Sequence, residues 1–352
     1  MWYRVQGLRH KDLILQLVCS MLGTFSSLRK QSLSQLMDKT KILIIVGPTA
    51  IGKTRLSLDL ACETNGEIIS ADSMQIYKYM DIGTAKPTPD ERKKAKHHLV
   101  DILFPDEEFS AALFKERAGK IISDLDKQDK TPIVTGGTGL YIKALTRGLF
   151  ESPPVDRNIR QSLQERAASI GSECLHRELA EIDPTTAAKL HPNDLLRIIR
   201  ALEVYQSTKI PLSEHHEKHS FSDSPFETLK IGLTLDRQQL YTRIEDRVDK
   251  MIITGLVDEV KSLLNMGYTR DLNSMQALGY KQIIRHLSGD ISLDEAISQI
   301  KRDTKRYAKR QITWLNADPE IIRYSSEDKY TKILQTAKDF LKAKKSLYKK
   351  QQ

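Results

Sequence analysis

Two textures of apolar and polar positions alternate along the chain. Ile42 to Val46 is a short β-branched run, of the kind buried on both faces of a parallel sheet. Glu67 to Ala71 and Thr131 to Thr135 read as further strands, the latter ending in Gly136 and Gly137. Leu56, Leu60 and Ala61 give Arg55 to Cys62 helical spacing, and Ala111 to Leu125 also reads as a helix. Strands alternating with helices predict an α/β fold, a doubly wound parallel sheet. After Phe150 the pattern changes. Ser152-Pro153-Pro154 is a breaker, and Val155 to about Tyr205 is helix-like, punctuated by Pro184 and Pro192. Ser207 to Phe226 is polar and His/Ser/Pro-rich, which predicts a long loop with His215, His216 and His219 solvated. Leu229 to Leu235 reads as a returning strand, and from Arg237 the chain is largely helical. The expected organisation is an N-terminal extension (1–38), a first core part (39–152), a helical insertion (153–226) and a core return with basic helices (227–352).

Composition narrows the classes. The 352 residues are 39% hydrophobic and 29% charged, as in ordinary globular chains, which argues against disorder. No apolar run approaches the ~20 residues of a membrane span. Cys19, Cys62 and Cys174 lie far apart, so a zinc ribbon is excluded, a disulfide framework is not expected and a reducing compartment fits. The formal charge of +9 points to a polyanionic partner. Residues 1–36 contain one acid, Asp12, among several cations. That pattern fits a transit peptide, but Met37 stands just before the first strand, and an upstream translation start is the simpler expectation.

Gly47-Pro48-Thr49-Ala50-Ile51-Gly52-Lys53-Thr54 matches G-x-x-x-x-G-K-[ST] between a strand and a helix. Such a loop turns backbone N–H groups around a phosphate at a helix N-terminus. Lys53 adds a point charge, and Thr54 is the expected Mg²⁺ ligand. The loop accepts nucleotides, ATP among them, or a diphosphate. The strand Thr131 to Thr135 ends in Thr-Gly-Gly rather than in a metal-binding acid, which favours group transfer over a hydrolysis cycle.

Asp72, in Ser70-Ala71-Asp72-Ser73-Met74-Gln75, follows the second strand, where α/β sheets hold their ligands. It suits a general base, and equally a helix N-cap. Gln75 has the amide that reads an adenine edge. Gly136-Gly137-Thr138 permits close backbone approach to a ligand, with Thr138 as a phosphate donor. His97-His98 lacks a partner at metal-ligand spacing and reads as structural. Lys301, Arg302, Lys305, Arg306, Lys309 and Arg310 form one cationic helix face opposite Ile300, Tyr307 and Trp314, which read as core. This face suits a phosphate backbone better than a membrane surface.

With these segments the chain resembles the tRNA dimethylallyltransferase (tRNA isopentenyltransferase) family over about residues 40 to 315. The resemblance also rests on Asp81-Ile82-Gly83-Thr84-Ala85-Lys86-Pro87, His97 to Asp101, Asn193 to Val204, Leu235-Asp236-Arg237, Ala277-Leu278-Gly279-Tyr280 and Tyr307 to Trp314. It implies a P-loop NTPase-like core with a helical insertion domain. It implies transfer of a dimethylallyl group from dimethylallyl diphosphate, helped by Mg²⁺, to the adenine 3′ of the anticodon. Asp72 would be the base, with Thr138 and Arg237 at the diphosphate. Ser73, Met74 and Gln75 would line the base pocket. Arg160, Leu196, Arg197 and Arg200 of the insertion would hold the anticodon stem-loop. So would Ala277, Leu278, Gly279, Tyr280, Lys281 and Gln282, together with the basic helix. Leu196 stands where the family often has Gln, and the chain lacks the C-terminal zinc finger of some eukaryotic members, so it looks bacterial: a cytoplasmic monomer without membrane contact. Three alternatives are prenylation of free AMP, ADP or ATP, a P-loop ATPase or kinase, and a non-catalytic RNA binder. The basic helix and the insertion argue against the first. The Thr-Gly-Gly strand end argues against the second, and the phosphate loop with Asp72 against the third.

Overall fold

Six parallel strands form the frame, in the order β3 (His97–His98), β2 (Gly66–Ser70), β4 (Thr131–Gly136), β1 (Lys41–Val46), β5 (Glu227–Thr234) and β6 (Ile321–Ser325). The structure is a computed structural model and describes residues 39–148, 156–218, 224–326 and 330–343. The central strand β1 (Lys41–Val46) is buried along its whole length. Its side chains alternate between two cores, as the period of two requires. Leu43 and Ile45 meet helix α1 (Lys53–Thr64) on one face, and Ile42 and Ile44 meet Phe114, Ala118 and Ile122 on the other.

Register decides where the site lies. β1 aligns Val46 with Gly136, the end of β4 (Thr131–Gly136), and β2 (Gly66–Ser70) aligns Ser70 with Thr135. Three strands therefore end at one edge, and the segments 47–52, 71–75 and 137–138 leave side by side. These are the phosphate loop, the Asp72 turn and the Gly-Gly-Thr turn. The backbones are close enough that a Cβ on Gly136 would stand 2.1 Å from the carbonyl oxygen of Ala71.

Two further cores are helical. Leu163, Leu175, Leu179, Ile198 and Leu202 form a separate core within residues 156–218, as expected for an insertion. The other packs Ile76 and Met80 against Leu256, Val260, Tyr280, Ile283 and Ile300. Its long helix, α2 (Leu293–Asn316), starts at a reciprocal capping box, Ser292 with Glu295.

Three local expectations change. Ser207 to Phe226 is not all loop, because Leu212–Lys218 is a helix. In front of it His215 Nε2 contacts Thr208 Oγ1 at 3.3 Å, and burial lowers the His216 pKa, so neither ring is merely solvated. Two strands lacked a readable apolar run: β3 (His97–His98), and β6 (Ile321–Ser325), whose partner is β5 (Glu227–Thr234). His98 Nε2 lies 2.6 Å from Glu67 Oε2, which agrees with a structural histidine pair. The readings of residues 1–36, of Ser152-Pro153-Pro154 and of His219 lie outside the described residues. Among the described residues no helix is long and apolar enough to cross a membrane.

The backbone approach at Gly136 generates a prediction. Gly136→Ala should lose about 1–3 kcal/mol of stability, as overpacking does, read as a lower denaturant midpoint. An unchanged midpoint would mean that the two strand ends separate freely.

Candidate functional site

The phosphate loop takes its shape from two left-handed residues, Ala50 (φ 64°) and Gly52 (φ 104°), the second standing just before helix α1. Lys53 Nζ folds back onto its own loop and donates to the carbonyls of Gly47 and Pro48, both at 2.9 Å. Burial lowers the Lys53 pKa to about 8; the Asp72 charge opposes this and that of Arg247 assists it. A positive charge that is half-buried and short of solvent stands ready for an anion.

The loop is fastened from outside by two residues whose role the sequence did not show. Arg247 NH1 donates to Thr49 Oγ1 at 3.2 Å, and the Thr49 amide donates to Gln311 Oε1 at 2.9 Å. Arg247 belongs to helix α3 (Arg237–Thr254). Its pKa is lowered by burial and supported by Asp72, so both Lys53 and Arg247 lie within the field of that carboxylate. Beside Arg247 opens a cavity of about 850 Å³, lined by Ala50, Ile82, Arg243, Lys250 and Met251 among others. Arg243, Arg247, Lys250 and Thr254 repeat at helical spacing, and that polar stripe is the signal which could have found Arg247.

Asp72 is not a helix cap. Its Oδ1 accepts from the amides of Met74 (2.9 Å) and Gln75 (3.4 Å) across a turn. Among the described residues no partner reaches Oδ2 and no cation is in ion-pair contact. The carboxylate is oriented through one oxygen, with the other left to act. Thr138 supports the same turn, since its Oγ1 accepts from the Ser73 amide at 3.1 Å. Tyr307 closes this corner and is part of the site rather than simply core. Its pKa is pushed up to about 12 by burial and by the Asp72 charge, while its hydroxyl engages Thr138 and Gln311. Trp314 is half-buried, with its ring against Gly139.

Other expected contacts are redirected inward. Gln75 spends its amide internally, accepting from Ser70 Oγ (3.0 Å) and donating to the Ala85 carbonyl (3.2 Å), so it fixes the 80s loop rather than offering an adenine-reading edge. Tyr280 is fully buried and donates to Glu259 Oε1 at 2.6 Å. Glu259 in turn accepts from the amides of Asp81, Ile82 and Gly83. Gln282 is buried between the Gly279 amide (3.0 Å) and Asp303 (3.1 Å). Tyr280 and Gln282 are therefore structural in this state, and Gly279 is buried with them. Ala277, Leu278 and Lys281 stay half-buried, and Lys281 shares a second cationic hollow with Arg270, Arg285 and Arg302.

The basic helix face is real but partly spoken for. A groove of about 530 Å³ runs along it, lined by Lys301, Arg302, Lys305, Arg306, Lys309 and Arg237. Lys301 pairs with Asp249 at 2.7 Å and Lys305 with Glu245, whereas Arg302 and Arg306 share Asp303 at 3.2 and 3.3 Å. Among the described residues Lys309 and Arg310 have no acidic partner. Arg237 belongs to this groove: its Nε donates to Tyr241 Oη at 3.0 Å, and none of its described contacts is to the phosphate loop. In the insertion, Arg160 and Arg200 both hold the buried Glu203, at 2.8 and 3.0 Å. Arg197 is exposed beside Asp194, and Leu196 is 80% exposed on the same turn.

Comparison with known proteins agrees with this geometry. The family model described as IPP transferase matches residues 75–318. A tRNA dimethylallyltransferase of Geobacter metallireducens is 51% identical over 303 residues, covering 86% of this chain and 98% of its own. A tRNA dimethylallyltransferase 2 of Geotalea uraniireducens is 55% identical over 284 residues, covering 81% and 92%. Among solved structures, a full-length tRNA isopentenylpyrophosphate transferase of Bacillus halodurans has a TM-score of 0.64 and 40% identity, covering 87% of this chain and 97% of that one. A eukaryotic dimethylallyltransferase acting on tRNA has a TM-score of 0.70 and 30% identity, covering 82% and 74%. With most of its length matched by family model, relatives and solved structures, the chain belongs to the IPP transferase family.

Proposed function

We propose that this chain transfers a dimethylallyl group from dimethylallyl diphosphate to the exocyclic N6 amine of the adenine 3′-adjacent to the anticodon in tRNA, giving N6-isopentenyladenosine and diphosphate. The observation that carries the reading is that the phosphate loop and the Asp72 turn leave neighbouring strand ends, with Lys53 on the loop and Arg247 hydrogen-bonded to Thr49, so that an acceptor of protons faces two half-buried cations. A hydrolase or kinase site does not need that carboxylate beside a Gly-Gly-Thr turn. The names of the relatives supply the substrate.

The residues divide the work as follows. The adenine is taken out of its stack before it can reach a carboxylate at a strand end. Its N6 attacks C1 of the allyl group while the C1–O bond to the diphosphate breaks. The free oxygen of Asp72 takes the N6 proton. Loop amides 49 to 54, Lys53 and Arg247 receive the charge that develops on the departing diphosphate, where a dry, preorganised site makes each donor count for more than in water. Thr138 holds the Asp72 turn at its Ser73 amide. The groove cations, with Arg197 of the insertion, take the RNA backbone.

Mg²⁺ fits this donor set in one way. Among the described residues no cluster of three His, Cys, Asp or Glu is built for a metal. A hard cation that keeps waters and shares phosphate oxygens needs only a hydroxyl such as that of Thr54. When bound, it would supply charge stabilisation to the leaving diphosphate. The reading carries with it a cytoplasmic enzyme that works as a monomer.

Labelled dimethylallyl diphosphate offered with unmodified tRNA or with AMP tests the reading directly. Label should enter tRNA only. Label in AMP alone, or ATP hydrolysis without prenyl transfer, would overturn it. Three predictions follow the division of work. Asp72→Asn should lower kcat by at least 10²-fold, within the range for a general base, with tRNA affinity unchanged; a parallel loss of binding would make Asp72 a structural residue. The paired change Lys309→Ala with Arg310→Ala should weaken tRNA binding and flatten its log–log salt dependence by about 1 to 2. An unaltered slope would remove that end of the helix from the interface. A bound phosphate must raise the Lys53 pKa from about 8 towards the ordinary lysine value of 10.5. Calorimetry at pH 9 in buffers of different ionisation heat should therefore register proton uptake with pyrophosphate. Compared with Lys53→Met, which shares the titration of pyrophosphate itself, the parent should take up more protons and lose more affinity as pH climbs above 8.

A further inference from the structure

Gln311 lies on the basic helix, one residue beyond the last cation of its face, yet its side chain turns inward and is only 6% exposed. Its two amide atoms do different jobs. Oε1 accepts from the Thr49 amide of the phosphate loop at 2.9 Å, and Nε2 donates to the Gly137 carbonyl at 3.0 Å. The next residue, Thr138, accepts from the Ser73 amide at 3.1 Å and gives its own amide to the Ala71 carbonyl at 3.2 Å. A continuous hydrogen-bonded path therefore runs from the phosphate loop, through Gln311 and the Gly137–Thr138 turn, to the turn that carries Asp72.

We infer that Gln311 is a positioning residue. It fixes the spacing between the phosphate loop and the Asp72 turn, and so aligns the leaving diphosphate with the proton acceptor. The inference rests on the proposed transfer reaction for its kinetic consequence, but its structural claim stands apart from it. The residue type is demanded by the two partners. A carboxylate offers only acceptors and would lose the Gly137 bond, whereas a leucine fills the space and loses both. The contact is also shape-limited, because a Cβ on Gly137 would stand 2.1 Å from Gln311 Nε2. That atom is the end of a flexible side chain, so Gly137→Ala should push the amide aside and leave the backbone in place. Near-attack chemistry loses rate steeply with displacements of about 1 Å, which is the scale on which this contact acts.

The same bond can thus be broken from either end, and the test uses both. Gln311→Leu, Gly137→Ala and the double variant are compared with the full-length parent. The expected result is a 10- to 100-fold lower kcat in each single variant and no further loss in the double variant. The KM for tRNA should stay within twofold, and the melting temperature of Gly137→Ala should stay close to that of the parent. Titration with inorganic pyrophosphate, which needs no turnover, should show about tenfold weaker binding in each variant, again without addition in the double. Equal and additive losses, a loss that appears only in the KM for tRNA, or unaltered pyrophosphate affinity would overturn the inference. A parent that binds pyrophosphate but transfers no prenyl group would overturn the functional reading, while the pyrophosphate titrations would still decide the role of Gln311.

Discussion

The in-register parallel pairing of β2, β4 and β1 sets the geometry on which the site depends. Because Val46 faces Gly136 and Ser70 faces Thr135, the three segments that follow these strands leave the sheet at one level. A slip of one residue would swap the two sets of β1 side chains between its two apolar cores, turning Leu43 and Ile45 towards the partners of Ile42 and Ile44. Neither core tolerates that exchange, so hydrophobic burial fixes the relative height of Lys53 and Asp72. The chemistry inherits its precision from packing that takes no part in it.

The long helix from Leu293 to Asn316 joins two tasks on opposite sides. Outward it presents the cations of the groove, and inward it inserts Tyr307, Gln311 and Trp314 between the loops. An amphipathic helix ordinarily buries an apolar stripe. Here the buried stripe mixes an apolar stretch, Ile300, Ala308 and Leu315, with polar side chains whose hydrogen bonds are met by loop backbone. This meets the requirement that buried polar groups be paired, and it links the cationic groove mechanically to the phosphate loop.

How much of this was legible in the sequence depended on whether a residue's neighbours in sequence define its partner. The phosphate loop was legible because Gly47 to Thr54 builds its own site from consecutive backbone. Asp72 was half legible: its position after a strand was clear, but whether it capped a helix or ended a turn depended on what followed. Arg247 and Gln311 were illegible as site residues, since their partner Thr49 lies 198 and 262 residues away. Gln75 was read as a base contact because its amide suits an adenine edge, and Tyr280 and Gln282 as RNA contacts through the family resemblance alone; the bonds that each makes inside the fold could not be read from their sequence neighbours. β6 escaped notice because only Ile321 and Tyr324 of Ile-Ile-Arg-Tyr-Ser are buried, at an edge of the sheet.

Helix Arg237–Thr254 shows why the groove remains cationic although several of its charges are paired. Glu245 and Asp249 face the basic helix, and Arg247 faces the phosphate loop; at 100° per residue the two positions flanking Arg247 lie on the far side from it. Glu245 and Asp249 are about half exposed where they meet Lys305 and Lys301. Ion pairs so open to water are worth only about 0–1 kcal/mol. They hold two lysine side chains along the groove wall while costing little to replace. A phosphate backbone brings a dense line of charge and releases its counterions on binding, a larger gain than such a pair can resist. The acids of this helix thus orient the lysines along the groove without cancelling its positive charge, and the same helix carries Arg247 to the phosphate loop.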